Sequence, residues 1–378
     1  MTTNNNKVLF ADQLRGLAAL LVLVSHWFGV YWGMREAVSF YTASPVHGGA
    51  NPLAYELVSF NPNFGLGPFG VSIFFLISGF VIPISLEKNR ASNFLIMRFF
   101  RIFPTYWISL SIGLLFVYGS SQFWGQALYW NTKILVSNML LINDLLLLPG
   151  VDLVNWTLAM ELKFYLVVAC LSPVIKRGKV FPVFIFSVSV LILNWCLNSV
   201  PNVWTSNEFV AVARMLASEF VYVQFMLVGL FFYYAYQQKI SNRELIFYVL
   251  LQLLLFSLTW GNSSIRDEFP VVTLIYWYGL VLFALAYVFR KKFRQHAAIN
   301  WLADISFPLY LLHSLVGYVM IKIGMSYGFS FYVAMLLAAL VVGLIAYAIH
   351  RLVEMPTNAF GKKISNLRTS RLKVGNEL

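Results

Sequence analysis

A histidine inside an apolar run is costly, and His26 lies in the run LRGLAALLVLVSHWFGVYWG, Leu14 to Gly33. Such a run is long enough to cross a bilayer, which takes about 20 apolar residues. An imidazole there loses its hydration and requires a polar partner or a wet cavity. Arg15 stands eleven positions earlier. On a helix, eleven steps of about 100° return to within about 20° of the starting face, roughly 16 Å along the axis. The two groups are too far apart to bond to each other, but they suit the two ends of one long ligand, of about the reach of a phosphopantetheine arm. The plainer readings are that Arg15 marks an inner membrane boundary and that His26 is a satisfied bundle histidine. Of the two, His26 carries the stronger expectation of function.

Three further stretches bear polar groups in apolar surroundings. In FLIMRFFRIFPTYW, Arg98 and Arg101 are three apart and share a helix face. With Arg15 they form three guanidiniums at one level, suited to a nucleotide phosphate through bidentate bonds or to lipid headgroups. In NWTLAMELKFYL, Glu161 comes to nearly the depth of His26 when both are counted from the outer ends of their spans. A carboxylate against an imidazole in a dry site would orient it and raise its basicity; alternatively Glu161 pairs with Lys163 or Arg214. Tyr165 follows Glu161 by four, on the same face. Asp12 either caps its helix or pairs with Arg15. His313, in ISFPLYLLHSLVG, is a second site residue or a packing histidine. His47 and His296 fall in loops and His350 at an inner boundary, so surface roles are expected for them. The stretch GLGPFG, Gly65 to Gly70, formally fits a dinucleotide loop, but no strand precedes it, and a tight turn with close helix packing is expected. P-loop, HExxH and CxxC patterns are absent, as is a histidine followed five residues later by aspartate. No metal is expected.

The elements that must position these groups are membrane helices. Of 378 residues, 60% are hydrophobic and only 11% charged, against about 25% charged in a soluble domain. The expected fold is an all-α polytopic membrane protein of about ten spans, near 12–32, 67–86, 103–120, 156–175, 180–198, 209–236, 245–260, 270–289, 303–322 and 328–349. The net charge of +12 is unevenly placed. With the N-terminus inside, the cytoplasmic loops hold Lys88, Arg90, Arg98, Arg101, Lys176, Arg177, Lys179, Lys239, Arg243 and Arg290–Arg294, whereas the outside segments hold mainly Arg35, Lys133 and Arg266. That asymmetry places both termini in the cytoplasm and accounts for the basic balance without a nucleic-acid partner. The first span lacks a small-residue cleavage site and is expected to be retained. Cys170 and Cys196 both fall in spans and are expected to be reduced packing residues. Two long outside segments, about 33–66 and 121–155, are candidate places for a substrate site, the second with a short surface helix. Residues 1–358 are expected to form one transmembrane unit, and 359–378 a basic, mobile cytoplasmic tail near anionic lipid.

Six segments in order, DQLRGLAALLVLVSH, GPFGVSIFFLISGFVI, RFFRIFPTYW, NWTLAMELKFYL, DISFPLYLLH and RLVEMP, resemble the membrane acyltransferase 3 family, bacterial O-acyltransferases of surface polysaccharides. The resemblance covers nearly the whole chain. It implies about ten core spans in the cytoplasmic (inner) membrane, an acyl-CoA donor (acetyl-CoA by default) arriving from the cytoplasm, no permanently bound cofactor, and a hydroxyl acceptor on the far side, on a carbohydrate or lipid-linked saccharide. It also implies importance for His26, Arg15, Arg98, Arg101 and Glu161. Two departures stand out: Ser25 occupies a place often aromatic, and Lys163 is an unusual charge within the Glu161 motif. The expected mechanism makes His26 the general base with Glu161 orienting it, or else the carrier of a covalent acyl group. A transporter or flippase of a lipid-linked saccharide is the competing class, since it too needs polar groups near mid-membrane.

Overall fold

A computed structural model describes residues 8–59, 61, 64–200 and 207–374, with side chains to residue 368. Residues 1–7 and the last four residues of the tail lie outside the described residues. Among the described residues the secondary structure is helical, without a strand. The principal helices are α1 (Leu9–Gly33), α2 (Leu66–Glu87), α3 (Ala91–Trp124), α4 (Trp156–Cys170), α5 (Phe181–Asn198), α6 (Glu208–Tyr236), α7 (Asn242–Gly261), α8 (Val271–Val288), α9 (Ala297–Leu312), α10 (Leu315–Ser326), α11 (Phe331–Ile349) and α12 (Met355–Val374).

Eight of the described helices are long and apolar enough to cross a bilayer, or nine when α9 and α10 are joined as one bent span. The expected count of about ten differs chiefly at 156–175. There α4 stops after 15 residues, about 22 Å and short of a roughly 30 Å hydrocarbon core. Pro173, at the start of the short helix Ser172–Lys176, disfavours helical backbone before it and donates no N–H. The third span runs further than its apolar stretch, so Arg98 and Arg101 lie within a continuous 34-residue helix. The described part of the tail packs on α3, with Phe360 edge-on to Phe100 at 5.2 Å and Asn93 donating to the Ser365 carbonyl at 3.3 Å. The short helix Thr132–Met139 forms in the 121–155 segment. Cys170 and Cys196 are free and exposed rather than packed inside.

α6 is the core helix. Its inner half, Val221 to Tyr234, is almost wholly buried, as expected of a helix apolar on all sides. It meets α2 at two glycines. A Cβ on Gly79 would stand 1.8 Å from the Met226 carbonyl oxygen, and one on Gly229 2.3 Å from that of Leu76. Without side chains the two backbones touch, the close approach that small residues allow between membrane helices. Glycines of the GLGPFG stretch play the packing part expected of them, facing Ser25, Val22 and Ala18 on α1.

The span from Ala297 to Ser326 is broken by a bend of 71° between Leu312 and Leu315. A break frees backbone groups that hydrocarbon cannot satisfy, so neighbours must. Trp27 Nε1 donates to the His313 carbonyl at 2.8 Å, and the Ser314 hydroxyl donates to Asp152 in the 121–155 segment. Gly317 lets the indole approach, since a Cβ there would lie 2.6 Å from Trp27 Nε1. On α10, Ser314, Tyr318 and Lys322 follow at intervals of four and form one polar stripe. Its far end is held by Lys322, which donates to Ser44 Oγ at 2.6 Å and to the Pro45 carbonyl at 2.7 Å.

Two outcomes are expected. Gly79→Ala places a methyl group inside backbone and should cost at least about 3 kcal/mol, the upper end of ordinary overpacking, whereas Gly119→Ala, with open space around it, should be neutral. Thermal unfolding of the purified variants measures this, and equal melting of the two would refute the close contact. Burial raises the Asp152 carboxyl from its ordinary 3.8 to about 6. A carboxyl raised in the folded state gives stability that is full below about pH 4 and is lost as pH rises through about 6, of the order of 3 kcal/mol. The wild type should therefore melt progressively lower from pH 4 to 7, and Asp152→Asn should flatten that slope; an unchanged slope would contradict the buried-carboxyl assignment.

Candidate active site

A cavity opens between α1, α2, α3, α4 and α9. Arg15, Arg98, Arg101, Glu161 and Tyr165 line it, together with Ser78, and Thr157 and Tyr310 also form part of its wall. Arg98 is held with its guanidinium 5.2 Å from the Phe94 ring centroid and 5.5 Å from that of Tyr165, a cation–π seat. Its Nε is buried without a hydrogen-bond partner. Arg15 pairs with Asp12 at 3.3 Å, but among the described residues neither Arg98 nor Arg101 has a carboxylate within ion-pair distance. Glu161 instead accepts from Tyr165 at 2.5 Å and from Ser78 at 3.3 Å. Guanidiniums left without direct ion pairs on a cavity wall favour an anionic occupant.

The second half of the site surrounds His26. From Ser25 to Val30 α1 widens into a π-helical turn, a feature that recurs at functional sites. His26 Nδ1 lies 2.7 Å from the Tyr318 hydroxyl, and its ring stands edge-on to His313 with centroids 4.7 Å apart. His26 remains half-buried; among the described residues its Nε2 has no hydrogen-bond partner. His313 is fully enclosed, at 1% exposure. Its Nδ1 is 2.7 Å from the Tyr310 carbonyl. A carbonyl only accepts, so Nδ1 carries the proton and Nε2 is a bare lone pair. That Nε2 is buried with no partner, an arrangement that ordinarily costs about 1–3 kcal/mol. Tyr310 joins the halves: it lines the cavity, bonds Thr157 at 2.8 Å, and its ring centroid lies 5.5 Å from that of His313.

Of the residues singled out in the sequence, Arg15, Arg98, Arg101, Glu161 and Tyr165 meet in one cavity, Asp12 pairs with Arg15, and His313 touches His26. One expected pairing does not form. Glu161 is bonded to Ser78 and Tyr165 among the arginines, and the partner of His26 is Tyr318. Counting from span ends fixes depth but not direction, and Glu161 faces α2 while His26 faces α10. Lys163 does not bear on Glu161, since it is held between Asp144 at 2.5 Å and Glu219 at 3.0 Å. Arg214 donates to the Leu197 and Val200 carbonyls, each at 3.0 Å. His350, expected at the surface, pairs with Glu354 at 2.8 Å in a second π-helical turn. The residues that sequence reading passed over are Tyr318, Tyr310, Thr157, Ser78, Asp152, Asn155 and Glu354. The four-residue spacing of Ser314, Tyr318 and Lys322 was the available signal for Tyr318. Asn155, in the NWTLAMEL stretch, is buried with an unpartnered Nδ2.

Comparison with known proteins identifies the family. A family described as an acyltransferase domain matches residues 8–348. Nodulation protein 10 of Rhizobium leguminosarum bv. viciae is 25% identical over 350 residues, covering 83% of this chain and 84% of that protein. No solved structure matches. With the family spanning nearly every helix that builds the cavity and the imidazole pair, the chain belongs to the membrane acyltransferase 3 family.

Proposed function

We propose that the chain is an O-acyltransferase of the bacterial cytoplasmic membrane. It moves an acyl group, acetyl by default, from cytoplasmic acyl-CoA to a sugar hydroxyl of a surface polysaccharide or glycolipid. The observation that carries this reading is a cavity with unpaired guanidiniums that backs, through Tyr310, onto two imidazoles. The charge asymmetry of the loops supports both termini and the arginine end lying in the cytoplasm. Arg15, Arg98 and Arg101 would hold the phosphates of the donor. The roughly 16 Å rise from Arg15 to His26 matches the need to carry a thioester from that anchor to the imidazole. Acyl transfer replaces the transport alternative, because a flippase needs no lone pair poised beside the end of an anion site.

In this mechanism Tyr318 takes the orienting part expected of Glu161. With the His26 Nδ1 proton donated to the Tyr318 oxygen, Nε2 presents its lone pair. It takes the proton of the acceptor hydroxyl as that oxygen bonds to the thioester carbonyl carbon. The carbon–sulfur bond then breaks, and the imidazolium returns the proton to the departing thiolate. Glu161, tied to Tyr165 and Ser78, sets the charge of the phosphate end rather than the basicity of the imidazole.

His26→Ala should lower acyl-CoA turnover by about 10²- to 10⁴-fold, the usual contribution of a general base, while the protein still inserts and binds CoA. Tyr318→Phe, which removes one neutral hydrogen bond, should lower kcat about three- to tenfold with little change in donor KM. Full activity in His26→Ala would refute the base assignment, and a Tyr318→Phe defect confined to KM would refute the orienting role. Thiol release from acetyl-CoA by purified protein with a membrane glycan extract measures both.

A further inference from the structure

Among the described residues, His313 Nε2 is a buried acceptor left without a partner. The Tyr310 carbonyl fixes its tautomer, so it can only accept, and no described group donates to it. The break that carries it is locked from three sides by Trp27, Asp152 and the bare Gly317. A flexible ring would turn to find a partner; this one is held with its lone pair free. Its place is equally specific. It lies between Tyr310 on the cavity wall and the His26 ring, with centroids 5.5 Å and 4.7 Å away.

We infer that His313 Nε2 receives the amide N–H nearest the sulfur of a pantetheine-type thioester, and so sets the acyl carbonyl beside His26. This rests on the proposed donor class. In such a donor the amide nitrogen is two carbons from the sulfur, a separation of the same order as that between the two imidazole rings. The arm has no other hydrogen-bond donor so near its reactive end. Tyr310, tethered to Thr157, is the partition the arm displaces as it enters. His313 is thus a substrate-positioning residue that contacts the donor, distinct from the proton acceptor His26.

The test uses full-length protein in detergent or nanodiscs and two probes: CoA, and a CoA analogue with an ester oxygen in place of that amide N–H. Equilibrium binding needs no acceptor. The wild type should bind the ester analogue at least about tenfold more weakly, because the analogue leaves the buried lone pair unmet and sets another against it. His313→Asn keeps a donor toward Tyr310 but removes the Nε2 acceptor, and should bind the two probes within about twofold of each other. His313→Gln, whose amide oxygen reaches the Nε2 position, should restore the preference. Equal binding of both probes by the wild type would overturn the inference, and would be the result if a fixed water were the partner. A preference that persists in His313→Asn would overturn it too. If the wild type binds neither probe, the donor class itself is wrong and the inference falls with it.

Discussion

The bend between Leu312 and Leu315 is the constraint on which the rest depends. A straight helix would carry Ser314, Tyr318 and Lys322 along the wrong axis and leave His26 alone among apolar neighbours. Bending a span in hydrocarbon exposes backbone polar groups that lipid cannot satisfy. At the bend Trp27 bonds the His313 carbonyl, Asp152 the Ser314 hydroxyl, and the Tyr310 carbonyl the His313 Nδ1. Two of these partners flank the chemistry directly, because Trp27 follows His26 and Tyr310 lines the cavity. Local disruption of the bend is therefore also disruption of the site.

The cavity poses the opposite electrostatic problem. Burying a charge is tolerable when it is paired and costly when it is not. Arg15 has Asp12, while Arg98 leans on the Phe94 and Tyr165 rings. Glu161 lines the same cavity but bonds Tyr165 and Ser78. This balance keeps the cations in place without neutralising them by contact, so an entering polyanion finds donors still free. One π-helical turn carries His26, and the other carries the His350–Glu354 pair.

Much of this was legible in the sequence. Apolar runs and few charges marked the helical membrane fold, and the spacing of Arg98, Arg101, Glu161 and Tyr165 marked groups that do share a cavity. The unreadable parts have physical causes. Periodicity along one helix says nothing about which neighbour faces it, so Glu161 was matched by depth to His26 when its bonds go to Ser78 and Tyr165. The apolar character of 303–322 hid the bend, because Pro308 and Ser314 are individually tolerated in membrane helices. The basic composition of the tail suggested mobility, yet Phe360 and Ser365 dock it on α3.

The most direct measurement is the affinity of purified protein for free CoA and for pantetheine, in the wild type and in a variant carrying Arg98→Gln and Arg101→Gln together. Loss of two charge-assisted contacts should weaken CoA binding by more than about tenfold and reduce its salt dependence, with pantetheine binding unchanged. Equal CoA affinity in the two proteins would contradict a phosphate-holding role for the cationic cavity, and with it the path from that cavity to His26.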